Sequence, residues 1–354
     1  MKILAIMPWL RKGGAEKNTI KLINQLATQH DVELLVFSQE YSDLESFISP
    51  NIAVSSGLSW FSVFLKVLFS SRCDIVFCSD HKVAFFMVLI RKFLFFKGFK
   101  VGFRCINNIS ALLINRSLFF KFIFRDMISR ADFVIAQCEG MKSDLVNSWG
   151  LLPSNIHVIY NSLDSKSFVS APLKLKSNKK FLYVGRFSQQ KRLESLVEAF
   201  LIANLHKSVL TLVGFREDMV EDRNTLARIY EVIDRIESNG RVFIEPWTND
   251  SSVHYKSHSF FLLASSYEGF PNVLIEAISN GLVLVSSDCD FGPREIIDDY
   301  NGLLVTDFSV ESFSYAIESA AEKKWNRDYI VSKAHRFDDL VQLPKINFVV
   351  EGLF

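Results

Sequence analysis

The run Phe260-Phe261-Leu262-Leu263-Ala264 restricts the fold more than any other stretch, because five successive apolar residues cannot form a strand with one wetted face. Such a strand is covered on both sides, as in a parallel sheet whose crossovers are helices. A loop carrying Gly269 and Pro271 follows. Then Val273-Leu274-Ile275-Glu276-Ala277-Ile278 starts a helix that Gly281 can end, with Asn272 near its beginning. Strand, glycine-bearing loop and helix N-terminus make an anion site, since unpaired N–H groups and the positive end of the helix dipole point the same way. Glu268 and Glu276 bracket that site with seven residues between them. Phosphate at the amides and carboxylates accepting from hydroxyls suit a sugar nucleotide; taken alone, two such glutamates also read as ordinary solvated residues.

The same unit recurs along the chain. Lys2 to Met7 reads as a first strand, Pro8 to Glu16 as a loop holding Gly13-Gly14, and Ile20, Ile23, Leu26 and Ala27 as one face of a helix. Val32 to Phe37 completes the β-α-β start. A glycine pair at the carboxyl end of a first strand sits where open α/β sheets bind ligands. The full G-x-G-x-x-G spacing is missing, which disfavours a dehydrogenase, and the pair also reads as a tight turn. Asp74–Cys78, Lys100–Phe103, Phe133–Ala136 and Ile156–Ser162 read as further buried strands. A second series, Lys180–Arg186, Val209–Gly214, Arg241–Ile244, Phe260–Ala264 and Val283–Ser287, repeats the strand, glycine, helix order. The expected fold class is therefore α/β, with two facing Rossmann-like doubly wound domains and a cleft between them. The expected boundaries are 1–165 and 179–325, joined by a polar, aperiodic linker at 166–178. Residues 326–354 are a C-terminal segment placed to cross back to the first domain, with a helix around Trp325 to Leu340 that Pro344 interrupts.

Forty basic against thirty-nine acidic residues leave a charge of +1, so nothing in the overall balance calls for nucleic acid. The five cysteines lie scattered in apolar runs, which reads as reduced core residues, and Met1 to Ile6 is too short for a secretory segment; both point to the cytoplasm. Between Trp60 and Arg130 the balance shifts: twelve Lys and Arg stand against Asp74, Asp80 and Asp126 alone. Aromatic residues interleave with them, as in Phe93-Leu94-Phe95-Phe96-Lys97 and Leu118-Phe119-Phe120-Lys121-Phe122. Such a face suits the cytoplasmic surface of an anionic membrane. The alternative is that these aromatics are domain core. No stretch reaches the ~18–20 apolar residues needed to span a bilayer, because Arg91-Lys92 splits the best one.

Gly185-Arg186 at a strand end, with Lys191 five residues beyond, puts two cations at the mouth of the second sheet. Paired cations stabilise the charge that develops on a nucleoside diphosphate leaving group. Gly13-Gly14, Arg186 with Lys191, Gly214, and Glu268 with Glu276 all fall at expected strand ends. Laid out so, the chain resembles the retaining glycosyltransferases of family 4, also described as glycosyl transferases group 1, which have the GT-B fold. The resemblance is carried by Gly13-Gly14-Ala15-Glu16, Val184-Gly185-Arg186 with Gln190-Lys191, and Glu268-Gly269-Phe270-Pro271-Asn272 through Glu276. Gly292-Pro293-Arg294-Glu295 and Asn301-Gly302-Leu303-Leu304-Val305 support it.

The resemblance implies that Arg186 and Lys191 bind the donor diphosphate and that Glu268 faces the transferred sugar. It implies that amides from Gly269 through Phe270, Pro271, Asn272 and Val273 meet the phosphates, and that Glu276 holds the ribose. Gly13, Gly14, Gly185 and Gly214 line the donor's path, and Ile244 to Trp247 holds the nucleobase. Family members act without a metal ion or cofactor; Asp288-Cys289-Asp290 only mimics a metal-binding D-x-D. Many relatives carry a histidine after the strand that here reads Gly102-Phe103-Arg104-Cys105, and none stands there. Arg104 and Asn107 become acceptor-side candidates, with Glu16, Asp80 and His81. The implied partners are a nucleotide-sugar donor, UDP-linked, a lipid-linked saccharide acceptor, and the cytoplasmic membrane surface, in lipopolysaccharide, O-antigen or capsule assembly; nucleic acid is not among them. Two rivals remain: a sugar-nucleotide epimerase of the same fold, and a non-catalytic sugar-nucleotide-binding protein.

Overall fold

The computed structural model describes residues 1–10, 13–38, 43–70, 73–169, 179–205, 207–236 and 241–354. The chain divides into two compact units, one comprising Met1–Ser162 with Leu340–Phe354 and the other Leu163–Asp339.

The first unit holds a seven-stranded sheet: β1 Lys2–Met7, β2 Asp31–Val36, β3 Ala53–Ser55, β4 Ile75–Cys78, β5 Lys100–Cys105, β6 Phe133–Ala136 and β7 Ile156–Val158. Its order is β3-β2-β1-β4-β5-β6-β7, and every pairing is parallel. β4 and β6 are buried at all positions, the consequence of helices on both faces. β3, mostly exposed at the sheet edge, carries no signal in the sequence, since Ala-Val-Ser is too short to show a pattern. The expected strand Ile156–Ser162 stops at Val158 because the chain turns inward: Asn161 accepts from Arg104, and the Ser162 amide donates to Asn18 Oδ1 at 3.0 Å.

The second unit holds β8 Lys180–Val184, β9 Val209–Phe215, β10 Val242–Pro246, β11 Phe260–Leu263, β12 Val283–Ser287 and β13 Gly302–Val305, all parallel, in the order β10-β9-β8-β11-β12-β13. β13 stands out in the sequence as a motif and not as a strand. A Cβ on Gly302 would stand 2.5 Å from the Leu284 carbonyl oxygen, so glycine is what lets β13 lie against β12.

The C-terminal expectation needs correction. Residues 326–339 stay with the second unit, where helix Arg327–Ala334 packs on helix Asn272–Ser279. Only Leu340–Phe354 joins the first unit, where Ile346, Val349 and Val350 of helix Lys345–Glu351 share a core with Ile3, Ile20 and Ile23. Pro344 starts this last helix, as its fixed φ allows, and does not interrupt the one before. The last residue of the expected first domain and the start of the expected linker are anchored in the second unit: Ser165 Oγ donates to the Asp338 carboxylate at 2.9 Å, and the Phe168 ring stacks on His335 at 4.8 Å. Linker residues 170–178 lie outside the described residues.

Candidate active site

In each sheet the strand order reverses once, between β1 and β4 in the first and between β8 and β11 in the second. Ligands of open α/β sheets bind at such points, past the carboxyl ends of the strands. Several of the sequence-derived residues fall there.

In the second unit, β8 runs into Gly185-Arg186 and the turn Gln189–Lys191, while β11 runs into the loop that ends at helix Asn272–Ser279. Three ties join the two loops. The Ser266 amide donates to the Gln190 carbonyl at 2.9 Å, Gln190 Nε2 donates to the Tyr267 carbonyl at 2.5 Å, and Lys191 Nζ donates to Glu268 Oε1 at 2.5 Å. The Lys191 and Glu268 side chains are only 13% and 10% exposed, so this pair is largely withdrawn from water. Arg186 by contrast is exposed, and its guanidinium has no hydrogen bond or ion pair among the described residues.

Tyr183 organises this cluster, and in the sequence it looks like one more strand residue. It is fully buried, and its hydroxyl donates to the Arg186 carbonyl at 2.8 Å. Burial pushes its phenol well above the ordinary value; the nearby Glu268 charge adds to that and Arg186 opposes it, so both groups lie within electrostatic reach of one hydroxyl. The only signal for it is a single tyrosine just before Gly185-Arg186. Gly214 proves to serve the backbone. Its φ of +126° disfavours any side chain, and a Cβ there would fall 2.1 Å from the Gly185 carbonyl oxygen.

Past β11, Phe270 is buried against Phe337 at 5.7 Å, and Gly292 (φ +93°) leaves room for Pro271, whose Cδ would lie 2.4 Å from a Cβ at position 292. Pro271, not Asn272, occupies the N-cap position, and Gly269 to Val273 lead into the helix N-terminus. Glu276, one turn further, accepts from Tyr255 Oη through Oε2 at 2.8 Å. Burial and this carboxylate hold the Tyr255 phenol protonated, which keeps it a donor. At the end of β10 the Trp247 amide donates to the Phe215 carbonyl at 2.8 Å, and its ring lies 4.9 Å below the Arg216 guanidinium. Asp288 is engaged by the Arg294 fork, so the first carboxylate of the D-x-D-like stretch is spent on an ion pair.

In the first unit, Trp9, Glu16, Thr19, Ser79, Asp80 and Ile106 line a small depression over the β1/β4 reversal. Gly13 is the N-cap of helix Gly14–Leu26, and the Glu16 carboxylate folds back over it: a Cβ at position 13 would meet Glu16 Oε2 at 2.2 Å. Trp9 Nε1 donates to the same carboxylate at 3.2 Å. Asp80 caps helix His81–Phe93, accepting from the Lys82 and Val83 amides at 2.8 and 2.9 Å.

Two acceptor-side candidates are corrected. Arg104 is 1% exposed and spends its guanidinium internally, on the Ala15 carbonyl at 2.7 Å, Thr19 Oγ1 at 2.6 Å and Asn161 Oδ1. Burial pulls its pKa down to about 10 with Glu16 opposing, and it acts as a staple on the helix that carries Glu16. His81 is 2% exposed, edge-on to Phe124, and burial lowers its pKa to about 4, so at neutral pH it is an uncharged interior ring. Glu16 and Asp80 are brought together at the depression. Asn107 is exposed beyond β5 and does not line it.

Comparison with known proteins agrees with this fold. The family model "Glycosyl transferases group 1" matches residues 165–337, and "Glycosyltransferase Family 4" matches residues 12–167. A lipopolysaccharide 1,6-galactosyltransferase of Salmonella typhimurium is 30% identical over 227 residues, 63% of this chain and 62% of that one. An N-acetylgalactosamine-N,N'-diacetylbacillosaminyl-diphospho-undecaprenol 4-alpha-N-acetylgalactosaminyltransferase of Campylobacter jejuni is 28% identical over 229 residues, 63% of this chain and 60% of the relative. The matches therefore span less than two thirds of either relative. The structure of Anabaena Alr3699/HepE in complex with UDP superimposes with a TM-score of 0.84 at 18% identity, covering 99% of this chain and 100% of that one, a likeness of fold. With two parallel-sheet units of this topology and the two family models covering it nearly end to end, the chain has the GT-B fold and belongs to the family 4, or group 1, glycosyltransferases.

Proposed function

We propose that this protein moves a sugar from a nucleotide-sugar donor, UDP-linked, to a saccharide acceptor, with retention of configuration and without a metal ion. The observation that carries the reading is the second sheet's reversal point, where exposed Arg186 stands beside the Lys191–Glu268 pair and Glu276 follows on the next helix. Arg186 and Lys191 offset the charge that grows on the leaving diphosphate. In the resting pair Lys191 is held by Glu268; an arriving diphosphate shares that ammonium, which leaves the carboxylate to accept from the sugar's hydroxyls. As the bond from sugar to phosphate breaks, the acceptor oxygen bonds to the same face of the anomeric carbon, and the leaving phosphate oxygen takes the acceptor's proton. No protein base is required in that scheme. This is consistent with the interior position of His81 and Arg104.

The acceptor in this reading is a lipid-linked saccharide, met at the cytoplasmic face of the membrane during bacterial surface polysaccharide assembly. The names of the two relatives, one acting in lipopolysaccharide and one on a diphospho-undecaprenol carrier, support that setting. Incubation with a panel of nucleotide sugars and mass analysis of the products tests the reading, comparing wild type with Glu268→Ala and Arg186→Ala. Transfer that falls by roughly 100-fold or more in both variants is expected. Undiminished transfer in both refutes the site, an isomerised donor identifies an epimerase, and binding without turnover identifies a non-catalytic protein.

A further inference from the structure

We propose that the outward face of three helices in the first unit, Trp60–Phe69, His81–Phe93 and Leu118–Ile128, is the docking surface for an anionic lipid bilayer. The inference rests on the reading above for the acceptor's location, while the surface itself follows from geometry. Helix His81–Phe93 lies between the other two: its Phe86 ring is 4.5 Å from Trp60 on one flank, and its Phe85 ring is 5.8 Å from Phe124 on the other. Along this helix Ala84, Met87 and Val88 are buried, yet the exposed positions Lys82, Phe86, Leu89 and Phe93 form a second stripe that is also largely apolar. Helix Leu118–Ile128 repeats the pattern. It buries Phe124, Met127 and Ile128 and shows Leu118, Phe119 and Phe122 at 84%, 74% and 71% exposure. Phe61 and Phe69 continue the surface on helix Trp60–Phe69. Phe95 and Phe96 extend it, on a turn that Lys97 Nζ pins to the Ser70 carbonyl at 3.0 Å.

A helix that is apolar on both its inner and outer faces needs a second apolar medium. Charge selects which. Residues 60–130 carry twelve Lys and Arg against three Asp, an excess of nine positive charges in a chain whose total is +1, so the rest of the protein is net negative. Part of that excess is spent locally: Asp126 bridges to Arg130 and Lys92, Arg91 and Lys100 meet Asp132, Lys66 meets Glu33, and Arg104 is interior. Lys82, Arg116, Lys121 and Arg125 carry no ion pair among the described residues and give the face its charge. Two copies of such a face would repel one another, whereas anionic headgroups complement it. Aliphatic Leu118 and Leu89 beside the aromatics gain from acyl chains and nothing from stacked bases. Among the described residues no helix is long and apolar enough to cross a membrane, so the helices lie in the interface plane.

The test is co-sedimentation of the full chain with vesicles of mixed phosphatidylglycerol and phosphatidylcholine, against phosphatidylcholine alone, with salt varied. Wild type should partition to the anionic vesicles and be released by salt. Lys92→Gln with Lys121→Gln should weaken binding by roughly five-fold per cation removed, and Phe119→Ser with Phe122→Ser by roughly ten-fold per ring. Far-UV circular dichroism and the thermal unfolding midpoint should be unchanged in both double variants, which shows that they are folded. Absence of vesicle binding by wild type, equal binding to both vesicle types, or full binding by the Phe119/Phe122 variant would overturn the proposal. So would a soluble dimer that this variant disperses. The vesicles contain no saccharide, so binding without any transferase activity leaves this inference standing and sinks the enzymatic one.

Discussion

Replacing Lys191 by methionine isolates the charge pair on which the proposed donor site is built. At 2.5 Å the two charges attract by about 7 kcal/mol at an effective dielectric near 20, and withdrawal of each ion from water costs several kcal/mol in return, so the intact pair is close to neutral for stability. Breaking it is not neutral. Lys191→Met leaves the Glu268 carboxylate, 10% exposed, without its cation, for a loss of about 3–5 kcal/mol. Glu268→Gln strands the ammonium and costs a similar amount, whereas Lys191→Met with Glu268→Gln removes both charges and should cost less than either change alone. The coupling, of about 3 kcal/mol or more, is read by a double-mutant cycle on local opening free energies, from hydrogen exchange in peptides covering residues 180–192 and 260–278. The same cycle carries a functional arm. Glu268→Gln frees Lys191 for phosphate, so UDP affinity should hold or rise while transfer falls by roughly 100-fold. Single costs that simply add in the double variant, or UDP affinity that collapses in Glu268→Gln, would refute the reasoning.

Gly214→Ala should destabilise the second unit by about 2–4 kcal/mol, because φ is +126° and the new Cβ would overlap the Gly185 carbonyl oxygen; thermal unfolding checks this, and an unchanged midpoint contradicts it. Arg104→Met should cost about 1–3 kcal/mol by removing three internal hydrogen bonds, to the Ala15 carbonyl, Thr19 Oγ1 and Asn161 Oδ1, with UDP affinity unaffected; a variant of full stability but altered acceptor KM would return Arg104 to the acceptor. His81 and His258 both have folded pKa values lowered to about 4 by burial, so the unfolded chain binds their protons first. The stability they contribute is complete above pH 6.5 and is lost as pH falls toward 4, with a slope of about 1.4 kcal/mol per pH unit for each proton; urea titrations across that window should show the slope shrink by one proton in His258→Gln.

Several features are legible in the sequence because local chemistry alone decides them. Continuous apolar runs such as Phe260–Leu263 can only be doubly covered strands, and the glycines after β8 and β11 mark where a chain turns at a sheet's ligand-binding edge. Residue type and spacing therefore suffice to place Arg186 and Lys191 after β8, and Glu268 and Glu276 after β11. Their pairing is another matter: Lys191 meets Glu268 across 77 residues, and Tyr183 and Tyr255 enter only because β8 and the helix Ser252–Ser257 fold beside them. The first unit is less legible for a related reason. A charged residue after a strand looks the same in sequence whether it points into a cleft or into the core, and only packing sends Arg104 and His81 inward while leaving Glu16 and Asp80 at the surface depression. Likewise, the alternation of Phe with Lys and Arg tells of an amphipathic surface or a core without separating them. Burying Phe124 while exposing Phe119 and Phe122 is a choice made by the helix next to it, through which side of Leu118–Ile128 it covers. Composition and spacing determined the kind of sheet and the residues at its edge; which of those residues meet, and which face water, depended on contacts between segments far apart in the chain.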